Sequence, residues 1–318
     1  MQSFLPQFKL RPRLTCVSLI WLLSTLASQG FCQQQPATQF RPLSVPALKK
    51  TIKQLKPINK LLGEPQPGQW LAQQKESGQS FSEYLRSRPL TLTANRHTLY
   101  VQPIGNFNPS QREIIQLSSE YLSIYFSCPV KILSTKSEDE IPATAKRIHP
   151  SWGNRQLLTS YLLEKQLAPN LPQDAFALIA FTASDLWPGD GWNFVFGFAS
   201  FRERVGVWSL SRFGDPASDP ESFRRCLERT CKLATHETGH MFSIKHCTRY
   251  ACNMQGSNSL EESDSQPTHL CPECHAKIIF ATQADPIKRI NKLISFSQKH
   301  GLNREINFLQ EAREILDD

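Results

Sequence analysis

No internal repeat runs through the 318 residues, no dense basic run is interleaved with aromatics, and no apolar stretch spans a membrane comfortably. The first absence leaves no repeat array. The second argues against nucleic acid as a partner, and the third against a polytopic membrane protein. Glycine is scarce, 14 residues in all, which excludes a collagenous chain. The formal charge of +8 is mild, and three of its cations (Lys9, Arg11 and Arg13) sit in the first 30 residues, which carry no acid. Without that segment the charge falls to +5, that of a moderately basic soluble surface. Hydrophobic residues make up 40% of the chain and charged residues 20%, enough apolar material for one or two domains with a sizeable core.

Behind those three cations, residues 14–27 form an apolar run, followed by Ala27, Ser28 and Gly30. This is the layout of a secretory signal peptide over residues 1–30. It predicts export to a periplasmic or extracellular space, with a retained membrane anchor as the lesser alternative. Once the signal is removed, no stable membrane insertion is expected. Residues 31–66, rich in Gln and Pro, read as a linker. Residues 67–318 read as the folded domain, and the chain is expected to act as a monomer.

Within that domain, residues 99–104 predict a first strand. Asn108-Pro109-Ser110 then opens a helix running to about Tyr125. Strands follow at 129–133, 176–181, 193–201 and 205–213, with a helix over 155–168 and a loop between Asp185 and Asp190. Asp219-Pro220-Glu221 starts a long helix through His240. Amphipathic helices close the chain near 272–283, 286–300 and 304–316. The order predicts an α/β fold: a twisted mixed β-sheet with packed helices, an active-site helix and a small C-terminal helical subdomain.

The residues that carry chemistry begin at His236-Glu-Thr-Gly-His240. A spacing of four on a helix puts both imidazoles on one face, one turn apart, as two ligands of one zinc require. Glu237 follows directly and has the reach of a general base without being a ligand. His246 lies six residues beyond His240, so the chain must bend after about Met241 to bring it back. Three neutral histidines leave a fourth position for water, the arrangement of a catalytic rather than a structural zinc.

Next to it, Cys247 and Cys252 form one pair and Cys271 and Cys274 another. Four thiolates can close a tetrahedral structural zinc site, and two disulfides are the alternative in an oxidising compartment. Met254 could floor the catalytic histidines or be ordinary core. Cys128 reads as a small core residue.

Taken together, these motifs closely resemble the archaemetzincins, within the metzincin clan of zinc metallopeptidases. The resemblance rests on the H-E-x-x-H-x5-H stretch, the Cys directly after the third His, Cys-x4-Cys-x-Met ending at Met254, and Cys271-x2-Cys274. Further matches are the run from Asp185 to Gly197, Gln79-Ser-Phe, and Gln102-Pro-Ile-Gly105. The family implies a zinc-peptidase fold with a Met-turn at Met254. It also implies two zinc ions, one catalytic and one held by four cysteines, and aminopeptidase-like or limited peptidase activity on peptides or proteins. By position, His236, His240 and His246 match the catalytic ligands, Glu237 the base, and Cys247, Cys252, Cys271 and Cys274 the structural ligands. Two departures stand out: Ser243 occupies the bend where the family normally has Gly, and a signal segment precedes the domain. Ser at positive φ costs about 1–2 kcal/mol. That cost motivates an alternative, a non-catalytic zinc-binding relative of the same fold.

Overall fold

The computed structural model of the chain describes residues 42–317. The expected signal segment, Cys32 and the first part of the expected linker lie outside the described residues. No helix among the described residues is long and apolar enough to cross a membrane.

Among the described residues eight strands occur in chain order: β1 (Thr98–Ile104), β2 (Val130–Ile132), β3 (Lys146–Ile148), β4 (Arg155–Leu158), β5 (Ala175–Thr182), β6 (Asp185–Trp187), β7 (Gly197–Ser200) and β8 (Val205–Ser209). Five of them form the main sheet in the order β2-β1-β5-β8-β7. All its pairings are parallel except β7 with β8. β1 and β5 are buried along their whole length, which is why they read as continuous apolar runs. Their pleat divides the core in two. Leu99, Val101, Ala177, Ile179 and Phe181 join one apolar cluster, and Tyr100, Ile104, Leu178 and Ala180 the other.

Ten α-helices among the described residues surround this frame. They are α1 (Val45–Leu55), α2 (Trp70–Gln73), α3 (Phe81–Arg86), α4 (Pro109–Phe126), α5 (Thr159–Tyr161), α6 (Pro220–Met241), α7 (Leu260–Ser265), α8 (Pro272–Thr282), α9 (Pro286–His300) and α10 (Ile306–Asp317). The expected caps start the two longest. Asn108 and Gln111 form a capping box on α4. The Asp219 carboxylate accepts from the backbone of Glu221 and Ser222, at 2.9 and 3.0 Å, to open α6 ahead of Pro220. α6 packs along α4. The expected C-terminal helices are α8, α9 and α10; α1 packs against α8 and α10.

Three expectations need correction. The linker reading fails for its second half. Leu48, Ile52 and Leu55 recur at helical spacing among the lysines, and their burial makes α1 part of the core. Each such Leu or Ile contributes on the order of 1.5–3 kcal/mol. Beyond α1, the Leu62 amide donates to the Arg249 carbonyl and the Ala251 amide to Lys60, which holds the chain between Cys247 and Cys252 in place. The predicted helix over 155–168 is also wrong at its start. Residues 155–158 are strand β4, because they pair with β3 and β6 in a second, three-stranded sheet. The strand predicted over 193–201 is shorter than expected: within it, residues 197–200 form β7. β7 is the outer strand of the main sheet, so one of its edges has no strand partner among the described residues.

Candidate metal centre

α6 delivers His236 and His240 on one face at its C-terminal end. The helix stops at Met241, and Ser243 takes φ +66°. The bend that the spacing demanded is made here by a residue in the left-handed region. The Ser243 amide donates to the His240 carbonyl, and the Ile244 amide returns to Gly239, closing the helix end. The strain of a β-carbon in this conformation is offset locally. The Ser243 hydroxyl accepts from the Leu90 amide at 3.1 Å. The Gln79 side chain straddles the bend: its Nε2 donates to the Ser243 carbonyl and its Oε1 accepts from the Lys245 amide, both at 3.3 Å. The chain therefore folds back and returns His246 to the other two histidines.

The three imidazoles converge, with ligand atoms within 4.8 Å of one another. Each ring is oriented through its far nitrogen. Nδ1 of His236 lies 2.7 Å from the Asn253 carbonyl, and Nδ1 of His240 lies 2.6 Å from the Ile244 carbonyl. Nδ1 of His246 lies 3.0 Å from both carboxylate oxygens of Glu76. Carbonyls and carboxylates only accept, so each Nδ1 carries the proton and each Nε2 presents a lone pair inward. The Nε2 atoms of His236 and His240 face each other at 3.1 Å. Two lone pairs at that distance repel unless a cation lies near both. Tetrahedral zinc at about 2.0–2.1 Å from each nitrogen would set them roughly 3.3 Å apart. The donor set therefore fits zinc.

Electrostatics point the same way. Burial, then the neighbouring His236 and His246, hold His240 well below the usual histidine range. Burial and His236 also lower His246, against the upward pull of Glu76. Both rings are thus neutral at neutral pH, as metal ligands must be. Burial pushes the Glu237 carboxyl up from its ordinary value. No ion pair or hydrogen bond holds its side chain among the described residues, so it is free to exchange a proton.

Met254 is buried beneath these rings. A β-carbon on Gly239 would come within 2.6 Å of the Met254 sulfur, so any side chain at the second variable position of H-E-x-x-H would have to displace Met254. Met254 is thus packed directly against the last turn of α6, at Gly239 between the two histidines. The Trp70 ring meets His246 edge-on at 5.2 Å, and the exposed ring of Phe201 lies 5.4 Å from His240. A cleft of about 620 Å³ opens beside His240 and His246, walled by Leu90, Phe201, Met241 and Ile244.

Cys247, Cys252, Cys271 and Cys274 form a second cluster, buried, with sulfurs within 4.8 Å of one another and no disulfide. The Sγ atoms of Cys247 and Cys271 are 3.7 Å apart. Backbone amides point at the sulfurs: Met254 and Cys271 donate to Cys252, at 3.4 and 3.2 Å, and Cys274 to Cys271, at 3.5 Å. Hydrogen bonds with the other three cysteines drive the Cys247 thiol strongly downward, whereas burial pushes Cys252 and Cys271 up. Four buried thiols can shed all their protons only around a cation, and this sulfur tetrad fits zinc. One four-sulfur group, not two separate pairs, is the arrangement that favours metal over disulfides.

The seven sequence-predicted ligands thus fall into two clusters, the three histidines in one and the four cysteines in the other. Sequence reasoning missed Glu76 and Asn253. Glu76 lies 170 positions before its partner, with no local signal. Asn253 sits between Cys252 and Met254 and ties the clusters together. Its carbonyl orients His236, and its side-chain amide donates to Tyr125 and Thr235, at 3.2 and 2.8 Å.

Comparison with known proteins places this geometry among relatives. The profile of peptidase family M54 matches residues 170–279. The chain is similar to archaemetzincin-2 of Homo sapiens, 33% identical over 264 residues, covering 72% of this chain and 71% of that protein. It is also similar to the archaemetzincin of Thermococcus kodakarensis, 31% identical over 173 residues, covering 52% of this chain and 88% of the other. A crystal structure of archaemetzincin from Methanopyrus kandleri aligns with a TM-score of 0.47 at 28% identity, over 60% of this chain and 97% of that one.

Proposed function

The chain belongs to the archaemetzincin family of zinc metallopeptidases, and from that premise we propose how it works: His236, His240 and His246 hold a catalytic zinc, and Glu237 is the base for peptide-bond hydrolysis. Cys247, Cys252, Cys271 and Cys274 hold a second, structural zinc. The observation that carries this reading is the commitment of all three Nδ1 atoms to outward acceptors, which leaves three lone pairs converging on one point.

A zinc held there supplies a Lewis acid that acidifies water and polarises the scissile carbonyl. Everything else falls to the chain's own residues. Glu237, with its upward-shifted carboxyl, takes a proton from the attacking water and passes it to the leaving amine. The free edge of β7 offers backbone groups to an extended peptide and orients it past His240. Met254 and Asn253 keep the histidine face rigid from below. The alternative of a non-catalytic relative drew its motive from Ser243, and the bend there is supported on both sides by Gln79 and Leu90.

Glu237→Gln is expected to lower turnover of a cleavable peptide by about a hundredfold or more while zinc content stays unchanged. Undiminished turnover in that variant would remove Glu237 from the role of base.

A further inference from the structure

The cleft beside His240 and His246 has walls of two kinds. Leu90, Phe201, Met241 and Ile244 are apolar, whereas Lys75 and Lys245 add two cationic residues to the lining. Both lysines are exposed, and neither makes an ion pair among the described residues. Glu76 is the sole carboxylate in the lining, and both its oxygens are committed to His246.

The two lysines sit on neighbouring segments of chain. Gln79 clamps the loop that carries Lys245. A β-carbon on Gly78, which has φ +67°, would come within 2.3 Å of the Thr248 hydroxyl, so the strand of chain bearing Lys75 lies tight against the same loop. With zinc in place, its two charges and the two lysines outweigh Glu76 and Glu237. The cleft therefore draws in anions and disfavours cations.

Resting on the peptidase reading above, we propose that this cleft is a substrate subsite selecting a residue that bears a carboxylate, with Lys75 and Lys245 as its specificity determinants. The apolar walls take the body of the residue, and the lysines take its charged end. The carboxylate can come from an acidic side chain or from the C-terminus of the peptide.

The test uses the zinc-loaded chain and matched peptide pairs. In one set Glu is exchanged for Gln at each position flanking the scissile bond. In the other a free C-terminus is exchanged for the amide. The carboxylate member of one set should show kcat/KM about five- to tenfold higher, the order expected of two exposed ion pairs. The advantage should shrink with added salt. It should vanish or invert in K75E/K245E with zinc content unchanged. Selectivity confined to the acid–amide pairs assigns the peptide C-terminus, and selectivity confined to the Glu–Gln pairs assigns a side chain. Binding of the same pairs to E237Q, read by fluorescence anisotropy, tests the subsite without turnover. Equal kcat/KM and equal binding across both sets would overturn the subsite and leave the peptidase reading standing. Carboxylate-selective binding without turnover of any peptide by the unaltered chain would do the reverse.

Discussion

His246 and Cys247 are neighbours in the chain, yet they open into opposite kinds of environment. The histidine cluster is half-buried, faces a wide cleft and is oriented by groups from three different segments: the Asn253 carbonyl, the Ile244 carbonyl and the Glu76 carboxylate. The cysteine cluster is buried on all sides and lined by amides of its own loop and helix. Openness suits an exchangeable position for water and substrate, and closure suits a metal that only holds chain segments together. The contrast implies a hierarchy. The cysteine cluster fixes Asn253 and Met254, and these in turn fix the histidine face, whereas nothing in the histidine cluster is needed to shape the cysteines.

The sharpest way to break that hierarchy is Cys252→Ala. It should release both metals and lower the free energy of unfolding by several kcal/mol, since binding of a structural zinc is largely folding free energy. Zinc content and a denaturation curve read both effects. Loss of the cysteine-bound metal alone, with the histidine metal retained, would show the two sites to be independent.

Acid should weaken the cysteine side through a neighbour that is not a ligand. His275 on α8 is buried, and burial lowers it to about 3. Its folded value lies below its unfolded value, so the native state resists protonation. Its contribution to stability is fully present above about pH 6.5 and drains away as pH falls toward 3. Unfolding measured from pH 7.5 to 4 should show a decline that His275→Gln reduces. An unchanged slope in that variant would locate the acid sensitivity elsewhere.

The smallest effect should come from Glu76→Gln, which sharpens the comparison by touching one side only. Loss of the carboxylate behind His246 should weaken metal at the histidines about 10- to 100-fold and leave the cysteine metal untouched. Competition with a graded series of chelators measures both in one experiment. Equal weakening of the two sites would contradict the separation.

What could be read from the sequence follows the range of the interactions that decide each feature. The long helix α6, its Asp219-Pro220 start and the turn at Ser243 are set by neighbours in the chain, and the ligand spacing on that helix follows from its period alone. The buried run of β5 and the capping box of α4 are equally local. Strand β4 was not legible, because Leu157, Leu158, Leu162 and Leu163 satisfy a helical period and pairing with β3 and β6 overrides it. α1 was hidden by lysines whose spacing leaves an apolar stripe. That the histidines and the cysteines would gather into two clusters was legible, but the groups that orient them were not. Glu76 acts across 170 positions, and Asn253 acts on His236 through a carbonyl that every residue possesses.

The most direct test of a paired-metal peptidase is elemental zinc per chain, on protein purified without chelator, for the unaltered sequence and for His246→Ala. The account predicts two zincs per chain falling to one in the variant, with peptide turnover lost. A single zinc in the unaltered chain, or a zinc content that His246→Ala leaves unchanged, would contradict it.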